Sequence, residues 1–239
     1  MLRIHVPSRS VRTLAIHHVW FAKEPRWHDA LRFAQYYHCD CLAPVWGFHR
    51  RSKFTSVVDL SPDDTALLES FSPNTRYEVR RAMREGFAFA PVEDLAQFCR
   101  FTGLAQDVVA PYWPQMAATQ VSLESEVISM HSYLVDPTAL RVALHQSVSI
   151  YRAEASPNRR SMMARANRWL HYRDMLWFKE QGFVAYDWGG ISVGTQKVKL
   201  QQVNRFKEGF GGRLVELSNY VSCPVVWWNR LLYGREVTT

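Results

Sequence analysis

The order of the predicted elements in the second half of the chain constrains the fold most. Residues 126–135 and 139–149 alternate between apolar and polar side chains, which predicts two strands, and Asp136-Pro137 predicts a tight turn between them. A long helix is predicted at 163–181 and a short apolar strand at 183–187. A strand, a crossover helix and a further strand predict a parallel pair within a mixed sheet.

The remaining elements extend this α/β pattern. With 239 residues and 47% hydrophobic content, the chain can bury a sizeable core. We find no repeat and no linker, so we expect a single domain. The other predicted strands are 53–60, 87–92 and 214–221. Two further helices are predicted to start at Ser61 and Ser72, and three more to span 94–114, 197–208 and 225–233. A basic loop is predicted at 152–160.

Two glycine pairs mark positions where the backbone bends or lies against another group. The chain has only 11 glycines, and four of them form Gly189-Gly190 and Gly211-Gly212. This favours close approach to the main chain, by another segment or by a ligand. Two ordinary tight turns are the alternative.

Charge and cysteine usage restrict the partners and the compartment. Twenty-nine Lys and Arg against 22 Asp and Glu give a net charge of +7, which favours polyanions such as nucleotides, phosphorylated lipids or RNA. The four cysteines lack a repeated spacing, which argues against a disulfide framework or zinc ribbon and for a reducing cytoplasm. No metal is expected, because the segment 38–41 lacks a second pair of ligands. No stretch approaches the roughly 20 apolar residues of a membrane span.

Four segments in order resemble the FemAB-like branch of the GNAT acyltransferase superfamily, and the match spans about residues 54–220. The segments are 74–82, 165–171, 186–190 and 206–212. The resemblance implies a GNAT-like mixed β-sheet flanked by helices. It also implies that two neighbouring parallel strands, here 139–149 and 183–188, splay apart and leave a slot for an acyl thioester.

The resemblance implies an acyl transfer with one of two donors. The first reading is an N-acyltransferase that moves an acyl group from acyl-CoA to the amine of a small acceptor, such as an amino sugar, an amino acid or a natural-product or cell-envelope intermediate. The alternative is an aminoacyl-tRNA-dependent transferase acting on a peptide or peptidoglycan-type acceptor. A catalytically silent module that binds a protein is a third reading. We expect residues 53–239 to form the acyltransferase domain and residues 1–52 to complete the sheet or cover the acceptor site.

The superfamily's phosphate loop, Gln/Arg-x-x-Gly-x-Gly/Ala, falls on residues 161–166, immediately before the predicted long helix. Ser161 and Ala164 depart from the pattern, which weakens a tight wrap around a pyrophosphate. Free N–H groups at a helix start still favour anions, although a plain helix start is the alternative. The residues predicted to bind the cofactor are Ser161, Met163, Ala164, Arg165, Ala166 and Asn167.

Three residues are candidates for catalysis. His145 would be the base, because strand alternation places it with Ala143, Ser147 and Ser149 on a small polar face beside the slot. Asp187 would orient the acceptor amine, or instead cap the following turn. Tyr220 would donate a proton to the leaving group.

Six further residues are predicted to bind substrate, on the basis of the matched motifs or of their place near the slot. The structural alternatives are a buried core histidine, a helix-end lysine in solvent, and arginines that fix their helix to the sheet. The six residues are His131, Arg76, Tyr77, Gly189, Gly190 and Lys207.

Overall fold

A computed structural model describes residues 1–7, 15–150 and 154–233 and shows a mixed β-sheet flanked by helices, so the predicted α/β class is confirmed. The strands are β1 (Leu2–Pro7), β2 (Ala15–Trp20), β3 (Ala34–Cys39), β4 (Phe48–Asp59), β5 (Ala88–Pro91), β6 (Met116–Leu123), β7 (Glu126–Asp136), β8 (Arg141–Ser149), β9 (Ala185–Asp187) and β10 (Arg213–Ser222). The helices are α1 (Asp64–Glu69), α2 (Pro73–Ala82), α3 (Leu95–Thr102), α4 (Gln106–Val109), α5 (Pro157–Glu180), α6 (Val198–Glu208) and α7 (Cys223–Tyr233), with short 3-10 turns at Trp27–Leu31 and Trp113–Gln115.

The chain forms two compact units. The first consists of residues 1–55 with 215–239, and its strand order is β1-β2-β3-β10-β4. The second consists of residues 56–214, with the order β4-β9-β8-β7-β6-β5. The strands β4 and β10 contribute residues to both units. That residues 1–52 cover an acceptor site stays a prediction.

The strand pairs that were predicted in the second unit are present. Strands β7 and β8 are antiparallel, and β9 pairs with β8 in parallel through Val142–Tyr186 and Ala143–Asp187. The crossover between β8 and β9 contains α5, as the sequence order predicted. Strand β6 was missed, because its small and polar side chains give little alternation.

The start of α5 differs from its predicted position. Ser156 caps this helix by accepting from the Arg159 N–H, and Pro157 takes the first turn, where its missing N–H costs nothing. The helix therefore begins six residues before the predicted Met163. Residues 161–166 lie inside it, so the prediction of a phosphate loop before the helix is wrong. Of the predicted basic loop 152–160, residues 157–160 form the first turn of α5, and residues 152 and 153 lie outside the described residues.

The alternation of β8 also differs from the prediction. Its register with β7 runs from Leu144–Tyr133 to Gln146–Ser132, so His145 is the extra residue of a bulge. Beyond the bulge, Ser147 pairs with His131. A bulge reverses the facing of every later residue, so Ser147 and Ser149 share a face with Leu144 and not with His145.

The largest core of the second unit lies between α5 and the strands β6 to β9. Leu170, Met175 and Phe178 of α5 are at most 1% exposed and pack with Val121 and Tyr133 of the sheet. Burying each such side chain contributes about 1.5–3 kcal/mol. Among the described residues, no helix is both long and apolar enough to cross a membrane.

Candidate functional site

A cavity of about 610 Å³ opens in the second unit beside the end of β8. Pairing between β8 and β9 ends at Ala143–Asp187, but β8 continues to Ser149. The part of β8 beyond its pairing with β9, the chain after β9 and helix α6 are the walls, and α5 is the base. The lining residues are Leu144, Ser147, Val148, Ser149, Ala164, Asn167, Arg168, His171, Trp188, Lys199, Gln202, Val203, Phe206 and Lys207.

The first glycine pair fixes the wall of this cavity. Gly189 has φ +76°, and a Cβ there would lie 2.3 Å from the Leu144 carbonyl oxygen of β8. Only glycine fits so close to another main chain in this conformation. The Lys207 ammonium donates to the carbonyl oxygens of Trp188, at 2.8 Å, and Gly190, at 2.6 Å. The predicted close approach is thus to β8, and Lys207 holds the turn in place.

The charged side chains of the lining are cationic. Arg168, Lys199 and Lys207 line the cavity, and its described lining contains no Asp or Glu. Burial lowers the pKa of Arg168 below that of an exposed arginine, although its guanidinium stays charged at neutral pH. The guanidinium carbon lies 5.3 Å from the centre of the Phe206 ring. Such a cavity favours a ligand that carries an anionic group.

His171 is the titratable side chain at the base of the cavity. It is 1% exposed, and burial, together with electrostatic interactions with His131, Lys207 and Arg168, lowers its pKa well below 6.5. Its imidazole is therefore neutral at physiological pH. Its Nδ1 lies 2.8 Å from the Tyr186 hydroxyl.

A buried polar network continues from His171 into the core. The Tyr186 hydroxyl lies 2.9 Å from that of Tyr133, which donates to Asp174. The same carboxylate lies 2.7 Å from His131 Nδ1, and His131 Nε2 lies 3.0 Å from the Asn167 side chain. All of these side chains except Asn167 are at most 1% exposed. The network thus joins two lining residues, His171 and Asn167, through the core.

The geometry of the buried histidines argues against a metal ion between them. The ligating atoms of His131, His171 and Asp174 lie within 4.8 Å of one another. However, the two imidazoles are stacked, with centroids 3.9 Å apart and an interplanar angle of 24°. Ring nitrogens coordinate a metal in the plane of the ring, so stacked rings do not converge on one ion.

Comparison with solved structures reveals the fold. FemX is 12% identical, with 96% of this chain and 86% of FemX covered and a TM-score of 0.65. The chain has the fold of FemX. L-PGS from Bacillus licheniformis is 16% identical, with 85% of this chain and 73% of that chain covered and a TM-score of 0.52. A GCN5-related N-acetyltransferase-like protein from Streptococcus suis is 12% identical, over 93% and 89% of the two chains, with a TM-score of 0.45.

The sequence itself matches no protein-family model and no curated protein. The likeness to FemX is therefore structural. It confirms the FemAB-like fold that the four segments predicted.

Within this FemX-like fold, His145 lies away from the large cavity. Its side chain is exposed and lines a separate cavity of about 150 Å³, where it stacks on Tyr112 with ring centroids 5.8 Å apart. The bulge in β8 is the reason, because it separates His145 from Ser147 and Ser149, which line the large cavity. His145 is not in a position to act on a ligand bound there.

Asp187 and Tyr220 have structural partners. Asp187 is fully buried, is paired with Arg141 and accepts from the Gly189 N–H at 2.8 Å, which matches the turn-capping alternative. Tyr220 lies in the first unit, where it donates to the carbonyl oxygens of Cys41 and Ala43. Burial raises the pKa of Tyr220 to about 12. Their catalytic roles gain no support from these contacts.

The predicted cofactor residues divide into four groups along α5. Ala164 and Asn167 line the cavity, and Met163 and Ala166 are core residues. Ser161 is exposed, and Arg165 makes a bidentate ion pair with Glu85, with hydrogen bonds of 2.6–3.0 Å. Arg165 therefore fixes α5 to the end of α2.

The residues that were predicted to bind substrate also divide. Lys207 and the turn at Gly189-Gly190 form the cavity wall, and His131 is in the buried network. Arg76 pairs with Glu69, so it connects α2 to α1, while Tyr77 is 57% exposed. This contact gives Arg76 a structural role, as in the alternative that the arginines of this helix hold it in place and do not bind substrate.

Sequence reasoning missed His171, Trp188 and the tyrosines of the network. A signal for His171 was present: Asn167, His171 and Asp174 recur with spacings of four and three on a helix that is otherwise apolar on that face. Polar residues on a buried helix face require partners. Those partners, Tyr133 and Tyr186, are on strands far away in sequence.

Proposed function

We propose that the protein is a transferase that moves an acyl group from an activated donor to an amine bound in the cavity beside β8. The observation that carries this proposal is the gap beside β8 beyond its last pair with β9, which leaves about 610 Å³ lined by cations and a neutral imidazole. Such a volume is in the range of small-molecule sites. The fold shared with FemX is consistent with this reaction class only by analogy.

Direct attack needs few groups beyond those of the cavity. The amine nitrogen forms a bond to the acyl carbon, the C–S or C–O bond of the donor breaks, and the amine loses a proton. His171, rather than His145, is our candidate for the base. The charges of Lys207 and Arg168 favour the oxyanion that forms on the acyl carbonyl and an anionic group on either substrate.

For the donor, acyl-CoA is our first candidate, because the gap beside β8 beyond the end of β9 would accept a thioester arm. A second candidate is aminoacyl-tRNA, because α5 begins too early in the sequence to leave a phosphate-binding loop at residues 161–166. Residues 161–166 have their N–H groups inside a helix, which removes the main-chain cradle for a pyrophosphate. The net charge of +7 also suits a nucleic acid.

Binding measurements test the proposal and separate the donors. We would titrate the protein with CoA and acetyl-CoA by calorimetry and measure retention of charged tRNA on filters, each at low and moderate salt. CoA binding that tolerates salt supports the thioester, and tRNA binding that falls steeply with salt supports the second donor.

A pair of variants connects binding to the cavity. Arg168→Gln changes a lining residue, and Arg173→Gln changes an arginine of the same helix that contacts Phe89 instead. We expect Arg168→Gln to weaken donor binding about tenfold and Arg173→Gln to leave it unchanged. Absence of binding by both donors would contradict the proposal.

A further inference from the structure

With Asp174 as an ionised carboxylate, the hydrogen bonds behind His171 have one direction. Tyr133 donates its only hydrogen to the Asp174 carboxylate. The Tyr133 oxygen can therefore only accept from the Tyr186 hydroxyl, 2.9 Å away. Tyr186 then has no hydrogen left for its other neighbour.

This direction determines the tautomer of His171. Since Tyr186 can only accept at its contact with His171 Nδ1, 2.8 Å away, Nδ1 must carry the hydrogen of the imidazole. A neutral imidazole has one such hydrogen, so Nε2 has a free lone pair. Because Nδ1 is occupied by Tyr186, Nε2 is the nitrogen that remains for a ligand in the cavity.

The environment keeps each hydrogen in place. Burial raises the pKa of both Tyr133 and Tyr186 well above 10, so each phenol keeps its hydrogen at neutral pH. His131 Nδ1, 2.7 Å from the same Asp174 oxygen, helps to fix the carboxylate to which Tyr133 donates.

We propose that Asp174, Tyr133 and Tyr186 are positioning residues that hold His171 in the Nδ1–H tautomer and so make Nε2 the proton acceptor of the cavity. The identity of the proton donor, the attacking amine, rests on the proposed function. As the nitrogen–carbon bond forms and the bond to the leaving group breaks, the amine proton moves to Nε2. The resulting imidazolium keeps its Nδ1–H bond to Tyr186, and Nε2 then returns the proton to the leaving group.

Charged and titratable groups from every neighbouring element act on His171. They are His131 of β7, Tyr186 of β9, Arg168 of α5 and Lys207 of α6. The two cations oppose an imidazolium, whereas the oriented hydroxyls and the Asp174 carboxylate favour it. We call the hydrogen-bonded chain from Asp174 through Tyr133 and Tyr186 to His171 the relay. It therefore matters most at the moment when Nε2 accepts a proton.

The tautomer can be measured without any assay of activity. Two-bond ¹H–¹⁵N correlation spectra of the full chain, labelled with ¹⁵N-histidine, distinguish the two tautomers, and the His171→Gln variant assigns the signals. We expect Nδ1–H in the wild type. In Tyr133→Phe, Tyr186 regains a hydrogen to donate, and we expect Nε2–H. Tyr172→Phe is the matched control on α5, since its hydroxyl is outside the relay, 3.5 Å from the Asp64 carbonyl oxygen.

A wild-type protein with Nε2–H, or a Tyr133→Phe protein that keeps Nδ1–H, would overturn the proposal. If Tyr133→Phe does not fold, Tyr186→Phe replaces it, because it removes the acceptor of the Nδ1–H bond. The wild-type spectrum alone still decides the tautomer.

Kinetics then separate this proposal from the proposed function. With whichever donor binds, Tyr133→Phe should lower kcat about 10²-fold at unchanged KM and shift the pH profile, and Tyr172→Phe should do neither. An unchanged kcat in a folded Tyr133→Phe protein would overturn the positioning role. The expected tautomers without transfer from either donor would instead contradict the proposed function and leave the relay intact.

Discussion

Two cavities beside β8 each contain a histidine next to a tyrosine, but the contact differs. At the cavity of about 150 Å³, the exposed ring of His145 stacks on Tyr112. At the cavity of about 610 Å³, the buried ring of His171 hydrogen-bonds to Tyr186 through Nδ1. The contact of His171 with Tyr186 determines which of its ring nitrogens carries a hydrogen, whereas stacking does not. In a neutral histidine, a partner that accepts a hydrogen bond from one ring nitrogen leaves the other nitrogen as the proton acceptor.

The surroundings of the two cavities differ as well. Apolar side chains such as Phe98 and Val109 surround His145, whereas Arg168 and Lys207 line the cavity of His171. An anionic substrate would be attracted to the second cavity and gain nothing from the first.

The largest expected effect comes from removing each histidine in turn. We expect His171→Gln to lower kcat/KM for acyl transfer on the order of 10³-fold, since it removes the proton acceptor. His145→Gln should change kcat/KM less than about twofold, within the usual range for exposed positions away from a site. Steady-state kinetics with the donor found by titration measure both. The reverse ranking would restore His145 as the base.

Local patterns predicted the elements that surround these cavities well. Hydrophobic alternation predicted β7 and β8, and the Ser72-Pro73 signal matched the cap of α2, whereas α1 is capped by Asp63, two residues after its predicted start at Ser61. The parallel β8–β9 pair followed from the order of elements. These features depend on residues that are close together in sequence, so single-sequence reasoning can find them.

His171, our candidate for the base, could not be assigned in the same way. The bulge at His145 depends on the register between β8 and β7, which are paired in the fold. A sequence pattern that assumes regular alternation along β8 cannot reveal it. The relay joins residues of β7, α5 and β9, and only the tertiary fold brings them together. The sequence predicted that another group approaches the main chain at Gly189, but it did not predict that this group is the Leu144 carbonyl oxygen.

A second prediction tests the close approach of Gly189 to Leu144 of β8, beside the large cavity. We expect Gly189→Ala to lower the free energy of unfolding by about 3 kcal/mol, because the new Cβ meets the Leu144 oxygen at a positive φ. Gly182→Ala is the matched control, since Gly182 has φ +87° and nothing within 4 Å of its Cβ position. Strain alone should cost it about 1 kcal/mol. Equal values from urea denaturation would show that the close approach to β8 does not constrain the wall.

The smallest expected effect is the dependence of stability on pH that comes from His171. Its pKa in the folded state lies well below 6.5, so between that value and about pH 6.5 the unfolded chain binds a proton that the folded chain does not. The contribution to stability is complete above about pH 6.5 and falls by up to about 1.4 kcal/mol per pH unit as the pH decreases. His171→Gln should remove this part of the slope, and His145→Gln should retain it. Urea denaturation at several pH values measures the difference. Parallel curves for the wild type and His171→Gln would mean that His171 titrates alike in the folded and unfolded chains, and the contrast between the two histidines would then lose its electrostatic basis.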